Sequence, residues 1–85
     1  MPVVISKHTK KRASDARLLE VAGGARRLYE VLWLVAESGS RAGRGLQCKA
    51  AHISSKSYKQ SLAELVGEDL VELDYLGTRL QSITL

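Results

Sequence analysis

The 85 residues bound the chain to one domain, and 45% hydrophobic with 26% charged residues is the balance of a globular protein, not of a disordered or membranous one. No apolar run approaches the ~18 residues that span a bilayer, and a lone Cys48 excludes an internal disulfide or a cysteine-based zinc site within one chain. The formal net charge is only +4, so its distribution carries more meaning than its size.

Taken in chain order, residues 2–5 are β-prone and are expected to pair at a sheet edge. They are too short for a signal-peptide core, and the expected location is the cytoplasm. Residues 6–12 are polar and basic, so 1–13 reads as a basic N-terminal arm and 14–85 as the folded domain. Ser14 suits a helix N-cap, with Asp15 favourable at the positive end. A short helix is expected over 16–22, carrying Leu18, Leu19 and Val21. Gly23 and Gly24 interrupt it, because glycine in a helix interior costs about 1 kcal/mol relative to alanine.

The strongest helical pattern covers 25–38. Ala25, Leu28, Tyr29, Leu32, Val35 and Ala36 recur at three- and four-residue spacing. Val31, Trp33 and Leu34 widen the apolar surface beyond one stripe, so cover is expected from the N-terminal helix or from a second copy of the chain. Gly39 suits the C-terminal stop, and 38–45 reads as a loop rich in glycine and serine. A short helix follows over 46–52, with Leu46 and Ala50 on one face. Residues 53–55 make a tight connection in which Ser54 or Ser55 is the N-cap of a helix over about 55–66. Tyr58, Ser61, Leu62 and Leu65 lie on its inward face, and Lys56, Ser57, Lys59, Gln60 and Ala63 on the other. Gly67 ends it. Residues 70–75 and 79–85 read as strands joined by a turn at 76–78.

This order of helix, loop, short helix, tight turn, helix and hairpin is the layout of a winged helix-turn-helix. The expected class is α+β: three core helices and a C-terminal β-hairpin wing, with a short N-terminal helix and a basic arm. The two short helices would brace each other through Leu46, Ala50, Ile53, Tyr58 and Leu62. That presents the start of the second helix to a major groove about as wide as a helix. The charge agrees with a polyanionic partner. Residues 1–12 hold Lys7, Lys10, Lys11 and Arg12 without an acid, and residues 38–63 hold Arg41, Arg44, Lys49, Lys56 and Lys59 without an acid. The plainer alternative is that these residues solubilise a tail and loops.

The run from Ile53 to Val71, with Ser57-Tyr58-Lys59-Gln60 followed by Leu62, Leu65, Val66, Leu70 and Val71, resembles the winged-helix domains of small archaeal DNA-binding proteins. The resemblance covers residues 25–85. It implies double-stranded DNA as the partner, in a sequence-specific transcription regulator or an abundant chromatin protein. It also implies that Lys56, Ser57, Lys59 and Gln60, with Ser55 beside them, face DNA. Glutamine can read adenine, lysine can contact guanine or phosphate, and Arg41, Arg44 and Lys49 suit phosphate contacts. Arg79 beside the wing turn suits a phosphate or a minor groove, and Lys7, Lys10, Lys11 and Arg12 suit the backbone. The sequence departs from the pattern at Asp69, where glycine is common, and has no C-terminal coiled coil within it.

No catalytic pattern is visible. His8 and His52 lie far apart without a carboxylate partner, Gly39, Gly43 and Gly45 lack the lysine of a phosphate loop, and Cys48 has no evident base. The expectation is a non-enzyme without metal or cofactor. A homodimer is expected, through the N-terminal helix and the Val31/Trp33/Leu34 face, because domains of this size commonly pair to reach two half-sites. The same face makes a protein-interaction module the main alternative. RNA binding is less favoured, because the basic blocks lack interleaved aromatic residues.

Overall fold

Alternation at the N-terminus sets the first element. Val3 and Ile5 are buried and Val4 and Ser6 exposed, which is the period-two pattern of a half-buried strand. The computed structural model describes residues 3–7, 14–39 and 41–85. Among them are eight elements: β1 (Val3–Ser6), α1 (Asp15–Leu18), α2 (Gly23–Glu37), β2 (Arg41–Ala42), α3 (Arg44–Ala51), α4 (Ser55–Gly67), β3 (Glu72–Leu76) and β4 (Arg79–Thr84). The chain is therefore α+β, with a mixed four-stranded sheet in the order β2-β1-β4-β3. None of the described helices is long and apolar enough to cross a membrane.

β1 does not sit at an edge, as its sequence suggested. It lies between β2, which it pairs antiparallel, and β4, which it pairs parallel. The β3–β4 hairpin leaves one side of β4 unpaired, and β1 satisfies those backbone groups. The Leu85 N–H donating to the Ser6 carbonyl at 2.8 Å continues the ladder. Val3 and Ile5 thus belong to the core, and residues 3–6 are part of the fold and not of an arm. The expected loop over 38–45 likewise contains the two residues of β2.

α1 is one turn long, shorter than the expected 16–22. Ser14 caps it as expected, its Oγ accepting the Arg17 N–H at 3.3 Å. Arg26 binds the end of the helix and the turn after it: Nε donates to Leu18 O at 3.2 Å and Nη2 to Val21 O at 3.4 Å. The break falls at residues 19–22, and Gly23-Gly24 open α2 instead of preceding it. Gly24 lies where α2 meets α4. A Cβ there would stand 3.2 Å from Ile53 Cγ2 and 3.6 Å from Ser61 Oγ. The Ala22 N–H, at the start of α2, donates to Glu64 of α4 at 3.0 Å.

α2 is the central helix. Ala25, Leu28, Tyr29, Leu32 and Trp33 are all buried, the i, i+3, i+4, i+7 stripe of a core helix. Trp33 is only 4% exposed, against 69% for Leu34. The Val31/Trp33/Leu34 dimer face expected from sequence therefore does not exist as a continuous surface. Part of the cover comes from β1 and β2, which pack on α2, and Tyr29 meets Trp33 edge-to-face at 6.3 Å. Gly39, at φ +67°, ends the helix region as expected.

α3 is rotated relative to expectation. Gln47, Cys48 and Ala51 are buried, whereas Leu46 is 60% exposed and Ala50 is exposed. Leu46 and Ala50 do not brace α4. A fully buried glutamine is acceptable here because both ends of its amide are satisfied. Its Nε2 donates to Ala42 O at 2.8 Å, and its Oε1 accepts the Tyr58 hydroxyl at 2.7 Å. α3 ends on His52 in the left-handed conformation (φ +55°), and Arg27 Nε donates to the Ala51 carbonyl at 2.8 Å. A cation at a helix C-terminus is favourable to the helix dipole.

The sheet and α2–α4 enclose one core, in which Leu28, Leu32, Leu65 and Ile83 are inaccessible to water. The β3–β4 hairpin turns through Gly77-Thr78. Gly77 has φ +66° at the first central position, where a type II′ turn requires glycine. Asp69, where the resemblance places glycine, also has a positive φ of 58°.

Candidate nucleic-acid interface

α4 begins at a fixed point. Ser54 has extended backbone, and its Oγ accepts the Ser57 N–H at 3.1 Å, satisfying one orphan donor of the first turn. Ser54→Ala is expected to lower stability by about 1 kcal/mol, read as a melting-temperature drop of about 4–8 °C for a domain of this size. An unchanged melting temperature would show that the cap does not hold the turn.

Tyr58, Ser61, Leu62 and Leu65 form the inward face of α4. Ser55, Lys56, Ser57, Lys59, Gln60 and Ala63 are all exposed, as the spacing predicts. At 100° per residue Lys56, Gln60 and Ala63 follow the crest of the outer face, with Lys59 on one shoulder and Ser57 on the other. No acid occurs between Ser55 and Ala63. Glu64, the first one beyond, is tied to the Ala22 N–H.

On the Lys59 shoulder a cleft opens between α4 and the β3–β4 hairpin. It is lined by Arg44, Tyr58, Lys59, Tyr75, Thr78 and Arg79 over an apolar floor of Val3, Leu62 and Leu80. Three predicted contact residues from α3, α4 and β4 thus converge although they are 35 positions apart at the extremes. Arg44 lies over the Tyr58 ring, its guanidinium carbon 5.7 Å from the centroid. Burial pushes the Tyr58 phenol up to about 12, with Cys48 adding to the rise and Arg44 and the Gln47 hydrogen bond opposing it. On the other shoulder, Ser57 and Gln60 line a shallower groove with Arg27, His52 and Glu64.

Other predicted contacts lie elsewhere. Lys49 is exposed on α3, away from its buried Gln47–Cys48–Ala51 face, and Arg41 is exposed on the edge strand β2. Lys7 follows β1 and stands 5.5 Å from the centroid of Trp33. Lys10, Lys11 and Arg12 fall outside the described residues. Sequence reasoning missed Gln47 and Tyr75. Gln47 looked like a surface residue on a helix whose inward face was assigned to Leu46. Tyr75 was a strand residue with nothing in its neighbourhood to mark it. Its only signal was a large aromatic two positions from the turn.

No group of three or more metal-ligating side chains occurs among the described residues. Cys48 is a buried free thiol. Comparison with known proteins found no matching family model, no matching curated relative and no matching solved structure.

Proposed function

We propose that this chain is a winged helix-turn-helix protein that binds double-stranded DNA site-specifically, as a transcription regulator. In this reading α2, α3 and α4 are the three core helices, β3–β4 is the wing, and α4 enters the major groove. The observation that carries it is the outer face of α4. Lys56, Ser57, Lys59 and Gln60 are exposed on a capped helix without a carboxylate between Ser55 and Ala63. Arg44 and Arg79 flank that face on the Lys59 side. Helix-borne side chains of these types match base edges and phosphates in a major groove. Glu72 and Asp74 make the base of the hairpin acidic, which restricts the wing's share of phosphate contacts to its Arg79 side. The protein-interaction alternative loses its main support, because Trp33 is in the core.

The test is fluorescence anisotropy with a duplex of about 25 base pairs, titrated at several salt concentrations. The logarithm of affinity is expected to fall linearly with that of salt, by about 0.9 per phosphate contact. Sedimentation of the complex separates a monomer from a homodimer on two half-sites. Absence of binding at low salt would overturn the reading.

A further inference from the structure

In the sequence Tyr75 follows Asp74 and has no basic residue within three positions, and the fold brings basic residues to it. Tyr75 of β3 faces the same cleft as Arg44, Lys59 and Arg79. The cleft encloses about 260 Å³, near the lower end for a small-ligand site. That is room for one planar ring with an anionic group and not for a length of duplex. Tyr58 is buried and its ring is already covered by Arg44. Tyr75, by contrast, is 54% exposed. A register shift at Asp74/Tyr75 sets it opposite Leu80 at the cleft, and such irregularities re-aim side chains. No carboxylate is among the described residues lining the cleft. An aromatic face, three cations and an apolar floor match the base and the phosphate of a single nucleotide.

We propose that this cleft takes one unpaired nucleotide of a DNA chain, its base stacked on Tyr75 and its phosphate held by Arg44, Lys59 and Arg79. The proposal rests on the DNA-binding reading above. Stacking on an aromatic ring tolerates any base, because every base has a π-face, and arginine forms charge-assisted, bidentate bonds to phosphate. A paired nucleotide must first be unstacked and unpaired to reach the cleft, whereas a single-stranded tail carries no such cost. The protein therefore prefers a duplex with a single-stranded tail to the same duplex with blunt ends.

The experiment compares anisotropy titrations of a blunt duplex and its tailed counterpart at one salt concentration, for the wild type, Tyr75→Ala and Tyr75→Trp. The tailed duplex is expected to bind at least about fivefold tighter, the lower bound for one stacked base. Tyr75→Ala loses that preference and Tyr75→Trp keeps it, while both still bind the blunt duplex. Tyr75 is exposed, so neither change disturbs the core. A preference below about fivefold, or one that Tyr75→Ala leaves in place, overturns the stacking site while blunt-duplex binding leaves the DNA reading standing. Binding to the tailed duplex alone supports the cleft and overturns the double-strand reading. Binding to neither overturns both.

Discussion

Replacing Lys56, Lys59 and Gln60 together by alanine is expected to weaken binding to a preferred DNA duplex by at least about 100-fold. Each side chain that reads a base edge contributes about 1–3 kcal/mol of discrimination, and each factor of ten is about 1.4 kcal/mol. The loss should be larger on the preferred site than on random DNA, because Gln60 has no charge with which to hold a phosphate. On random DNA the salt slope should fall by about 0.9 for each lysine that touches a phosphate. Folding should be unaffected. All three side chains point to solvent on the outer face of α4, where substitutions usually change stability by no more than about 0.5 kcal/mol. The measurement is therefore paired: anisotropy for affinity, thermal melting for the fold. Unchanged affinity with an intact fold would remove α4 from the interface.

The second large effect lies behind that helix. Gln47 is inaccessible to water and ties three elements together, from the Ala42 carbonyl on β2 to the Tyr58 hydroxyl on α4. Gln47→Ala is expected to cost about 3 kcal/mol, because it leaves a cavity and strips a partner from two buried polar groups. The corresponding fall in melting temperature is about 12–24 °C. Tyr58→Phe leaves the Gln47 oxygen without its donor and should cost about 1–3 kcal/mol. The double variant should cost less than the sum of the two, since both remove the same bond. Additive costs would mean that the bond is not made.

Tyr58 also predicts a pH dependence. Its folded-state pKa is about 12, above the ordinary value of 10. The folded protein thus holds the phenolic proton more tightly than the unfolded chain. The stability Tyr58 contributes is fully present below pH 10 and is lost as pH rises from 10 through 12. The stability gap between wild type and Tyr58→Phe, measured by urea unfolding, should narrow across that window. A constant gap would show that the hydroxyl is not buried.

α2 and α4 were legible because each is long and apolar at helical spacing, although α2 begins two residues earlier than expected. Gly39 acts where the sequence placed a stop, Ser54 is the one of the two candidate residues that caps α4, and the inward set Tyr58, Ser61, Leu62 and Leu65 is the expected one. The outward set follows from the same periodicity, so the exposed residues of α4 could be named without a structure. The hairpin was equally legible, because Gly77 supplies the positive φ that its two-residue turn needs.

Short elements were not legible. α3 offers only two turns, and with so few residues periodicity does not choose between a face with Leu46 and one with Gln47. The choice depends on Ala42 and Tyr58, which lie outside the helix and satisfy the buried amide. Trp33 was assigned to a surface because nothing local reveals that the sheet folds over α2. The place of β1 between β2 and β4 is likewise a long-range pairing, linking residues 4–6 with 82–84. Sequence by itself determined the periods of α2 and α4, the Ser14 cap, the hairpin turn and the acid-free face of α4, all of which are set by neighbours within a few positions. Only the tertiary structure decided which face α3 buries, where the N-terminal strand pairs, and that Arg44, Lys59, Tyr75 and Arg79 share one cleft. Those outcomes depend on hydrogen-bond partners and packing surfaces supplied by distant parts of the chain.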